Sequence, residues 1–489
     1  MFWLLAMACA AVSVLAGLRW LRVAQREHYL PGSASTFADR WRRSSLLNFV
    51  LDLVSLFGIV AMLILDARWA VIVPVVAALW PIGLSLKGRT SPLAWTDRLR
   101  RLAITVAAIL ISAFTAGALL DLALLIVVPV HLVYVVVDIS LWVLAPYEKR
   151  LGAKWVEKAA ATLRSMDLDV VAITGSYGKT TTKNYVAHLL AGTKRVVASP
   201  ASFNNRMGLA RAINENLTPG TEVFVAEMGT YGPGEIAELC EWIPPKVGAI
   251  VAIGPVHLER FKTLENIVRS KAEILERAEI GVICVDHPLL AQVAEDRAAT
   301  KEIVEVSAGN RIAVSGAGVM DVPDGVFGAN LAVALGICRA LGVDPDEVIA
   351  RAADLPTAEH RQSVTTGVAG FTIIDDTFNS NPAGARSALE LLTEVGAQGR
   401  TAVITPGMVE LGPVQYEENR AFAEESASRV DHLVIVGRTN RKPLREGSAH
   451  GKASVTVVAS RDEAVEWARA NLGVGDAVLY ENDLPDHYP

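Results

Sequence analysis

The stretch with the clearest chemical potential is a short glycine loop at residues 174–182, Thr-Gly-Ser-Tyr-Gly-Lys-Thr-Thr-Thr. The β-branched residues 169–174 before it predict a buried strand, and residues 179–191 after it predict a helix. A Walker A loop has its first glycine five residues before the glycine of Gly-Lys-Thr. Ile173 occupies that place in this chain, and Gly175 stands only three residues before Gly178. The loop is a shortened version of the usual triphosphate-binding loop.

The shorter loop keeps the physical means of binding phosphate. Glycines permit backbone angles that direct N–H groups inward, and the helix that follows presents its positive N-terminus. Lys179 can neutralise phosphate charge, and Thr180 or Thr181 can offer a hydroxyl to Mg²⁺. A plain glycine turn with a solvated lysine is the alternative, which the flanking strand and helix disfavour. We predict a triphosphate-binding site with contacts from Gly175, Ser176, Tyr177, Gly178, Lys179, Thr180 and Thr181, which the resemblance given below identifies as an ATP site.

Three more side chains could take part in chemistry beside this loop. Glu227 ends a predicted strand at 222–227, and His257 follows another at 247–253. Lys271 lies on a predicted helix at 264–279. Ligands of open α/β sheets collect at the carboxyl ends of the strands, which places Glu227 and His257 well. Taken one at a time, a structural loop histidine and a solvated helix lysine are the more common interpretations.

Strands and helices alternate through the whole chain after residue 168, as in a parallel α/β sheet. The pattern pauses at residues 356–362, which predict a hinge, and resumes with a strand at 371–376. The predicted architecture is an N-terminal α-helical transmembrane domain followed by two α/β domains. The second is P-loop-like with a mostly parallel sheet, and the third is Rossmann-like. The predicted boundaries are 1–150, 151–356 and 357–489.

The predicted membrane domain rests on five apolar runs, at 2–18, 46–65, 69–86, 102–120 and 122–147. Each is near the length that a helix needs to cross a bilayer. Basic residues concentrate at 19–43, at 87–101 and after 148, so the positive-inside rule puts the N-terminus outside and residues 148 onward in the cytoplasm. Asp52, His131 and Asp138 fall within these runs and are either functional groups or polar links between helices.

Composition excludes some classes of function. The net charge is −6, with no basic tract, which argues against a nucleic-acid partner. The four cysteines, Cys9, Cys240, Cys284 and Cys338, contain no Cys-x-x-Cys pair. Neither a disulfide framework nor a zinc site is indicated.

Several motifs in one order resemble the Mur ligase family, which builds the peptide stem of the bacterial cell wall. The loop TGSYGKTTTK resembles the nucleotide loop of that family, and FNNRMGLARAI resembles its asparagine-glycine segment. AEMGTYGPGEI and the residues to Lys271 resemble its metal-binding core, and FGANLAVALGICRALG its adenine-bordering helix. DDTFNSNPAGARSALELL and TPGMVELG resemble the C-terminal domain of the members that add D-Ala-D-Ala. The resemblance covers residues 169–440 and is highly specific.

The resemblance implies an ATP-dependent acid–amino-acid ligase in cell-wall synthesis, working through an acyl phosphate. It implies that Thr180, Glu227 and His257 hold two Mg²⁺ ions and that Lys271 carries CO₂ as a carbamate, a further metal ligand. Catalysis would depend on Lys179, His257 and Lys271. Asn330 would contact adenine, Asp376 the ribose region, and Arg361 the phosphates across the hinge.

The chain departs from the family at three places. Apolar runs replace the domain that binds a uridine nucleotide, and YENDLPDHYP replaces the usual Lys-Gly-Ser-Arg segment after the last strand. Val326 and Phe327 replace a His-Asn pair before Asn330. The leading interpretation is a multi-pass inner-membrane ligase acting on a cell-envelope precursor, lipid-linked or nucleotide-linked, together with an amino acid or dipeptide. Other envelope-synthesis proteins are expected partners.

Three alternatives remain open. One keeps the UDP-linked muramoyl tripeptide and D-Ala-D-Ala as substrates, with the membrane helices as an anchor only. Another is a polyglutamate-type ligase, which the DDTFNSNP segment fits less well. The third belongs to a different class, an ATP-driven transporter or flippase, which has no need of a second, amine-binding domain.

Overall fold

The structure, a computed structural model, describes residues 2–88, 92–314, 318–323, 326–355, 363–367, 370–377, 380–396, 399–485 and 487–489. The predicted hinge at 356–362, with Arg361 and the boundary at 356/357, lies outside these residues.

A helical domain comes first. Its helices are α1 (Phe2–Arg26), α2 (Ser33–Arg43), α3 (Leu46–Ile64), a 3₁₀ turn (Ala67–Val71) leading into α4 (Ile72–Leu79), α5 (Asp97–Leu119), α6 (Leu124–His131) and α7 (Val133–Ser165). Trp20, Phe37 and Trp41 lie in its core, which α1, α2, α5 and α7 share. The last helix, α7, continues without interruption past the predicted boundary at residue 150.

Three helices of the described chain are long and apolar enough to cross a membrane: Trp3–Arg26, α3 and α5. The number becomes four if α6 and α7, which meet at 84°, count as one broken span. The prediction of about five spans is therefore too high by this measure. The third apolar run is shorter than predicted because Trp80 precedes a proline and takes an extended conformation, which ends α4 at Leu79.

The short segment α4 still leads the chain back along α3. In the middle of α3, a Cβ added to Gly58 would lie 2.9 Å from Cβ of Ile72. At the start of α3, the Asn48 side chain accepts a hydrogen bond from Ile82 N at 2.9 Å. The chain has thus returned by Ile82 to the level at which α3 began.

The three ionisable residues within the apolar runs all have structural partners. Asp138 accepts backbone N–H groups at the start of α2, from Gly32 at 2.9 Å and Ser35 at 2.8 Å. The other two pair with side chains of neighbouring helices: Asp52 with Arg42 at 2.8 Å and His131 with Ser55 at 2.9 Å. These contacts favour the interpretation as polar links between helices.

The middle domain is a parallel six-stranded sheet of order β2-β3-β1-β4-β5-β6, with a separate antiparallel hairpin β7-β8. Its elements are β1 (Asp169–Thr174), α8 (Lys179–Leu190), β2 (Val196–Ala198), α9 (Arg206–Asn216), β3 (Val223–Glu227), α10 (Glu235–Trp242), β4 (Val247–Ile250), α11 (Leu258–Phe261), α12 (Leu264–Ala272), α13 (Ile274–Arg277), β5 (Ile280–Cys284), α14 (Pro288–Ala298), β6 (Glu302–Val306), β7 (Arg311–Val314), β8 (Gly318–Asp321), α15 (Gly328–Ala340) and α16 (Pro345–Ala352).

Alternating side chains of β1 place this sheet between two apolar cores. Val170 and Ala172 point into one core, and Val171 and Ile173 point into the other. Because both faces are covered by helices, the strands are almost wholly apolar, as parallel strands usually are. Polar side chains are thereby confined to the strand ends, where β1, β3 and β4 lie side by side.

The C-terminal domain is a second six-stranded sheet of order β13-β12-β11-β14-β10-β9, parallel except for the antiparallel edge strand β9. Its elements are β9 (Ser363–Thr366), β10 (Thr372–Asp376), α17 (Pro382–Val395), β11 (Thr401–Thr405), a 3₁₀ turn (Gly412–Val414), α18 (Gln415–Arg429), β12 (His432–Val436), α19 (Arg441–Gly447), a 3₁₀ turn (Ser448–His450), β13 (Ser454–Val458), α20 (Arg461–Asn471) and β14 (Ala477–Glu481).

One buried carboxylate of the helical domain connects it to both α/β domains. The Glu27 carboxylate lies 3.0 Å from Arg260 Nη2 of the middle domain. It also hydrogen-bonds His487 Nε2, near the C-terminus, at 2.9 Å. Trp41 of α2 donates its indole N–H to the His487 carbonyl at 3.0 Å. The helical domain therefore contacts segments that follow β4 in the middle domain and β14 in the C-terminal domain.

Candidate nucleotide and ligation site

The glycine loop turns tightly between β1 and α8 at the carboxyl edge of the middle sheet. Gly178, which precedes α8, has φ of +82°, a left-handed conformation that favours glycine. A Cβ at this position would lie 2.4 Å from Oδ1 of Asn330 and 2.9 Å from Val251. The loop thus requires a glycine for both its backbone angle and its space, and it brings Asn330 of α15 to the site.

Two loop residues attach the loop to the chain beyond β4. Ser176 N donates to the Ala252 carbonyl at 2.7 Å, and its hydroxyl donates to the Gly254 carbonyl at 3.1 Å. The Tyr177 hydroxyl donates to the Ile253 carbonyl at 2.9 Å. These hydrogen bonds attach the loop to the backbone of residues 252–254.

The Gly175 carbonyl of the loop accepts hydrogen bonds from two lysine side chains. Lys179 Nζ lies 2.8 Å from this oxygen and Lys271 Nζ lies 2.9 Å from it. Lys271 is buried, and burial, with a smaller effect of the Lys179 charge, lowers its pKa well below the ordinary lysine value. The lowered pKa favours the uncharged amine over the ammonium ion, and the uncharged amine is the nucleophilic form.

Glu227, at the end of β3, gathers the polar groups on the other side of the loop. Its carboxylate accepts Thr180 Oγ1 at 2.9 Å, Lys183 Nζ at 3.2 Å and Asn204 Nδ2 at 3.3 Å. Burial would raise the pKa of Glu227, but the Lys183 and Lys179 charges and the two uncharged donors outweigh it and lower the pKa. The carboxylate is therefore ionised and faces the first turn of α8.

His257 lies in a second cluster, which joins the two α/β domains. Its Nδ1 hydrogen-bonds the Glu410 carboxylate of the C-terminal domain. Both residues have left-handed backbones, with φ of +58° and +63°, which is uncommon outside glycine. Burial opposes ionisation of Glu410, but the His257 hydrogen bond and the charges of His257, Arg260 and Arg40 lower its pKa to about 2. Tyr231 packs its ring edge-on to His257.

The structure thus brings together most of the predicted residues. Gly175, Lys179 and Lys271 share one contact, Thr180 and Glu227 share another, and Asn330 borders Gly178. Asp376 ends β10 in the other domain, where its backbone carbonyl accepts Asn482 N at 3.1 Å.

Two family models match the chain: the Mur ligase middle domain over residues 173–326 and the Mur ligase glutamate ligase domain over residues 360–480. The UDP-N-acetylmuramoyl-tripeptide–D-alanyl-D-alanine ligase of Mycobacterium leprae is 32% identical over 384 residues, covering 67% of this chain and 73% of that protein. The chain belongs to the Mur ligase family. The resemblance drawn from the motifs is confirmed, and the protein is an ATP-dependent amide-bond ligase.

Solved Mur ligase structures share this fold. MurF of Thermotoga maritima, solved in complex with ADP, has a TM-score of 0.56 and 25% identity, covering 68% of this chain and 80% of that one. MurF of Acinetobacter baumannii has a TM-score of 0.59 at 22% identity, covering 68% and 77%. Both family models begin after the helical domain of this Mur ligase.

The donors around the loop fit Mg²⁺ bound together with nucleotide phosphates. Mg²⁺ is usually held by one or two carboxylates plus phosphate oxygens and water, without an all-protein cage. Glu227 and the Thr180 hydroxyl supply one such set, and the buried Thr181 hydroxyl has no hydrogen-bond partner in the described chain. No group of three His, Cys, Asp or Glu side chains forms a metal site in the described residues. The predicted magnesium ligands differ in kind, because they include a threonine hydroxyl and a lysine carbamate.

Sequence reasoning missed the residues that hold the predicted ones in place. Glu410 lies 153 positions from His257, and Lys183 and Asn204 reach Glu227 from separate helices and loops. All three lie within motifs that resemble the family: Lys183 in TGSYGKTTTK, Asn204 in FNNRMGLARAI and Glu410 in TPGMVELG. A short-range signal exists only for Lys183, which is one helical turn after Lys179.

Replacing Gly178 with alanine is expected to weaken ATP binding at least 10-fold. The new Cβ would collide with Asn330 and would force the loop out of its left-handed conformation. Calorimetric titration of Mg²⁺-ATP measures the effect. Gly234→Ala is the matched control, because Gly234 also precedes a helix with φ of +86° and has open space around its Cβ position. Equal ATP affinity in the Gly178 variant and the wild type would contradict the loop assignment.

Glu481, at the end of β14, stands where the sequence departs from the family. It is fully buried, accepts the hydroxyls of Ser380 and Thr405, and pairs in register with Asp376. Burial and, to a lesser extent, the Asp376 charge raise its pKa to about 7, despite the hydroxyl donors. The carboxyl therefore remains protonated in the folded protein at pH values where an unfolded chain would lose the proton.

The raised pKa of Glu481 predicts a loss of stability as pH rises. Below about pH 4, the usual glutamate pKa, both states are protonated; as pH rises to about 7 the folded state holds the proton longer, and its stability falls. Glu481→Gln should remove this loss and gain about 1–3 kcal/mol relative to wild type at pH 8.5 but nothing at pH 4.5. Thermal unfolding of the detergent-solubilised protein measures it, with Glu302→Gln on an exposed strand as control. A gain that is the same at both pH values would refute the titration.

Proposed function

We propose that this Mur ligase is a membrane-bound enzyme that joins a carboxylate of a cell-envelope precursor to the amine of an amino acid or dipeptide. The observation that carries the proposal is the meeting of Lys179 and Lys271 at the Gly175 carbonyl, with Glu227 and Thr180 on the other side of the same loop. This arrangement suits transfer of the γ-phosphoryl of ATP to an acid. The helical domain docks against the same edge through Glu27.

The proposed chemistry follows from the poor reactivity of a carboxylate. Direct attack of an amine on a carboxylate would have to expel oxide. Transfer of the γ-phosphoryl group of ATP therefore first converts the carboxylate to an acyl phosphate, whose leaving group is phosphate. The amine then attacks the carbonyl carbon, an amide forms, and ADP and phosphate are released. Lys179 neutralises charge on the transferred phosphoryl group, and the loop holds donor and acceptor in line. Bound Mg²⁺, held by Thr180, Glu227 and His257, would supply further charge neutralisation.

Lys271 is proposed to carry a carbamate. A neutral amine can attack the carbon of CO₂; a C–N bond forms, one C=O π bond opens, the nitrogen loses a proton to solvent, and the product is an anionic carbamate oxygen ligand. The position of Lys271 beside Lys179 supports this proposal, because burial lowers the pKa of the Lys271 amine and the Lys179 charge lies next to the new anion. The carbamate would complete the set of oxygen ligands that Mg²⁺ prefers.

The two α/β domains are proposed to close on the nucleotide. Asn330 would contact adenine, and Asp376 and Arg361 would approach from the C-terminal domain, Asp376 toward the ribose and Arg361 toward the phosphates. The contact between His257 and Glu410 supports this proposal, since it joins the domains next to the loop. Closure would exclude water and protect the acyl phosphate from hydrolysis.

The helical domain is proposed to lie in the bacterial inner membrane with the ligase domains in the cytoplasm. Exposed apolar side chains on the spanning helix α3, such as Leu46 at 79% and Phe57 at 52%, support a lipid contact. The basic segments 19–43 and 87–101 meet at the end of the helical domain that faces the ligase domains, where the Gln25 side chain donates a hydrogen bond to the Ala94 carbonyl at 2.7 Å. Basic residues on that side agree with a cytoplasmic orientation.

The names of the relatives suggest the substrates. The Mycobacterium leprae relative is named as a ligase of D-alanyl-D-alanine to a UDP-N-acetylmuramoyl tripeptide. We propose an acid of the same chemical class, a muramoyl-type peptide, with a dipeptide or amino acid as the amine. The leading form of the proposal has a lipid-linked acid, and the second form has the UDP-linked acid with the helices as an anchor.

A transporter would use ATP differently from a ligase, which provides the test. The full-length protein in nanodiscs is incubated with ATP, a muramoyl tripeptide precursor and D-Ala-D-Ala, and products are identified by mass spectrometry. The ligase proposal requires ATP hydrolysis that depends on the amine. It also requires a product whose mass equals that of the precursor plus D-Ala-D-Ala minus one water. Hydrolysis without any new C–N bond, whatever amine is supplied, would refute it and favour a transporter or flippase.

A further inference from the structure

We propose that the cleft between the helical domain and the C-terminal domain binds a diphosphate whose hydrocarbon chain lies in the membrane. This inference rests on the ligase function proposed above and identifies the carrier of its acid substrate. The cleft has a volume of 1750 Å³. One wall is α2 with the start of α3, and the other is the chain after β12 with α19.

Positive charge predominates in this cleft. Six cationic and three acidic side chains are among the described residues that line it: Arg40, Arg43, Arg438, Arg441, Lys442 and Arg445, with Asp39, Glu259 and Glu446. Each of the three acidic side chains pairs with a different cation of the cleft. Arg40 pairs with Glu259, Arg43 with Asp39 at 3.0 Å, and Lys442 with Glu446 at 4.0 Å.

Three arginines of the C-terminal wall have no acid within ion-pairing distance in the described structure: Arg438, Arg441 and Arg445. Among the described residues, the Arg441 guanidinium donates to the Gly437 carbonyl alone, at 2.6 and 2.9 Å. Burial and the charges of its two arginine neighbours lower the pKa of Arg441, so the three cations repel each other. A dianion between them would relieve this repulsion, and guanidinium groups match phosphate oxygens with paired hydrogen bonds.

The opposite wall places this charge at the end of a membrane-spanning helix. Ser45 caps α3 and lines the cleft together with Leu47 and Ile82. Leu47 is 55% exposed, and the apolar surface of α3 continues from it. An anion held by the arginines would therefore have its hydrocarbon chain beside α3, whereas a nucleoside would have to occupy this apolar mouth.

The same cleft leads to the ligation site. A second cavity of 410 Å³ shares Thr36, Arg40 and Glu259 with it and is bounded by Tyr231 and Glu410. Glu410 in turn hydrogen-bonds His257. A precursor could thus hold its diphosphate at the membrane surface while its peptide carboxylate reaches toward the glycine loop.

Binding to the full-length protein in detergent micelles tests this site without any need for catalysis. The probes are a polyprenyl diphosphate, the matching polyprenol, and UDP, each followed by thermophoresis. We expect the polyprenyl diphosphate to bind at least 10-fold more tightly than the polyprenol or UDP. The Arg438→Gln/Arg445→Gln double variant should lose at least 10-fold in affinity for it.

The matched control is Arg420→Gln/Arg429→Gln, which removes two exposed arginines of α18 outside the cleft and should leave affinity unchanged. ATP affinity, measured in parallel, should be the same in both double variants, which separates failure of the cleft from failure of the ligase function. UDP binding as tight as the polyprenyl diphosphate and lost in the cleft variant would assign the site to a nucleotide-linked carrier. Unchanged diphosphate affinity in the cleft variant would remove the site altogether.

Discussion

Replacing Lys271 with alanine is expected to lower the rate of amide formation at neutral pH by about 10²–10³-fold, the range for loss of one preorganised charged or polar group. The variant would lose the anionic oxygen ligand that a carbamate supplies and the contact with the Gly175 carbonyl. Short-chain carboxylic acids such as acetate should restore part of the rate, because they fit the vacated space and provide the same type of oxygen. The measurement is the initial rate of product formation by mass spectrometry.

The expected rescue separates a carbamate from a purely structural lysine. Lys271→Met, which keeps the apolar stem and removes the amine, should respond less to acetate because the space remains filled. ¹³C-labelled CO₂ should give a carbamate resonance in the wild type that both variants lack. Full activity in Lys271→Ala would remove the lysine from the mechanism, and a loss without any rescue or carbamate resonance would leave it a structural role.

Replacing Lys179 with glutamine should lower the rate by about 10³-fold and weaken ATP binding as well. Its amine is the cation that the glycine loop presents at the start of α8, 2.8 Å from the Gly175 carbonyl, where a transferred phosphoryl group needs charge neutralisation. Single-turnover rates and ATP affinity separate the chemical step from binding. Lys158→Gln, on the exposed side of α7, is the control.

A particular outcome would contradict this role of Lys179. If the variant bound ATP weakly but formed product at the normal rate once saturated, the lysine would serve binding alone. The proposed transition-state role requires a fall in the rate at saturating ATP. Since Lys179 and Lys271 share one carbonyl, the double variant should also lose less than the product of the two single effects.

Much of the fold could be predicted because its signals are local. The strand at 169–174 and the helix that follows residue 178 begin where the sequence pattern places them. Asp344 caps α16 through the N–H of Asp346 at 2.9 Å, as a residue before a helix-starting proline should. The apolar helices of the N-terminal domain are harder to predict, because apolar length alone does not show that Trp80 must leave the helix before Pro81 or that α6 and α7 meet at an angle.

The family, the ATP-dependent chemistry and the glycine loop can all be predicted from the sequence, since they lie in short motifs with fixed spacing. The contacts between distant groups come from the folded structure: Glu410 with His257, Lys271 with Gly175, and Glu27 with both Arg260 and His487. Burial and the neighbouring charges, which also follow from the folded structure, shift the pKa values of Lys271, Glu410 and Glu481. Such contacts join positions tens to hundreds of residues apart, and periodicity along a chain carries no information about them.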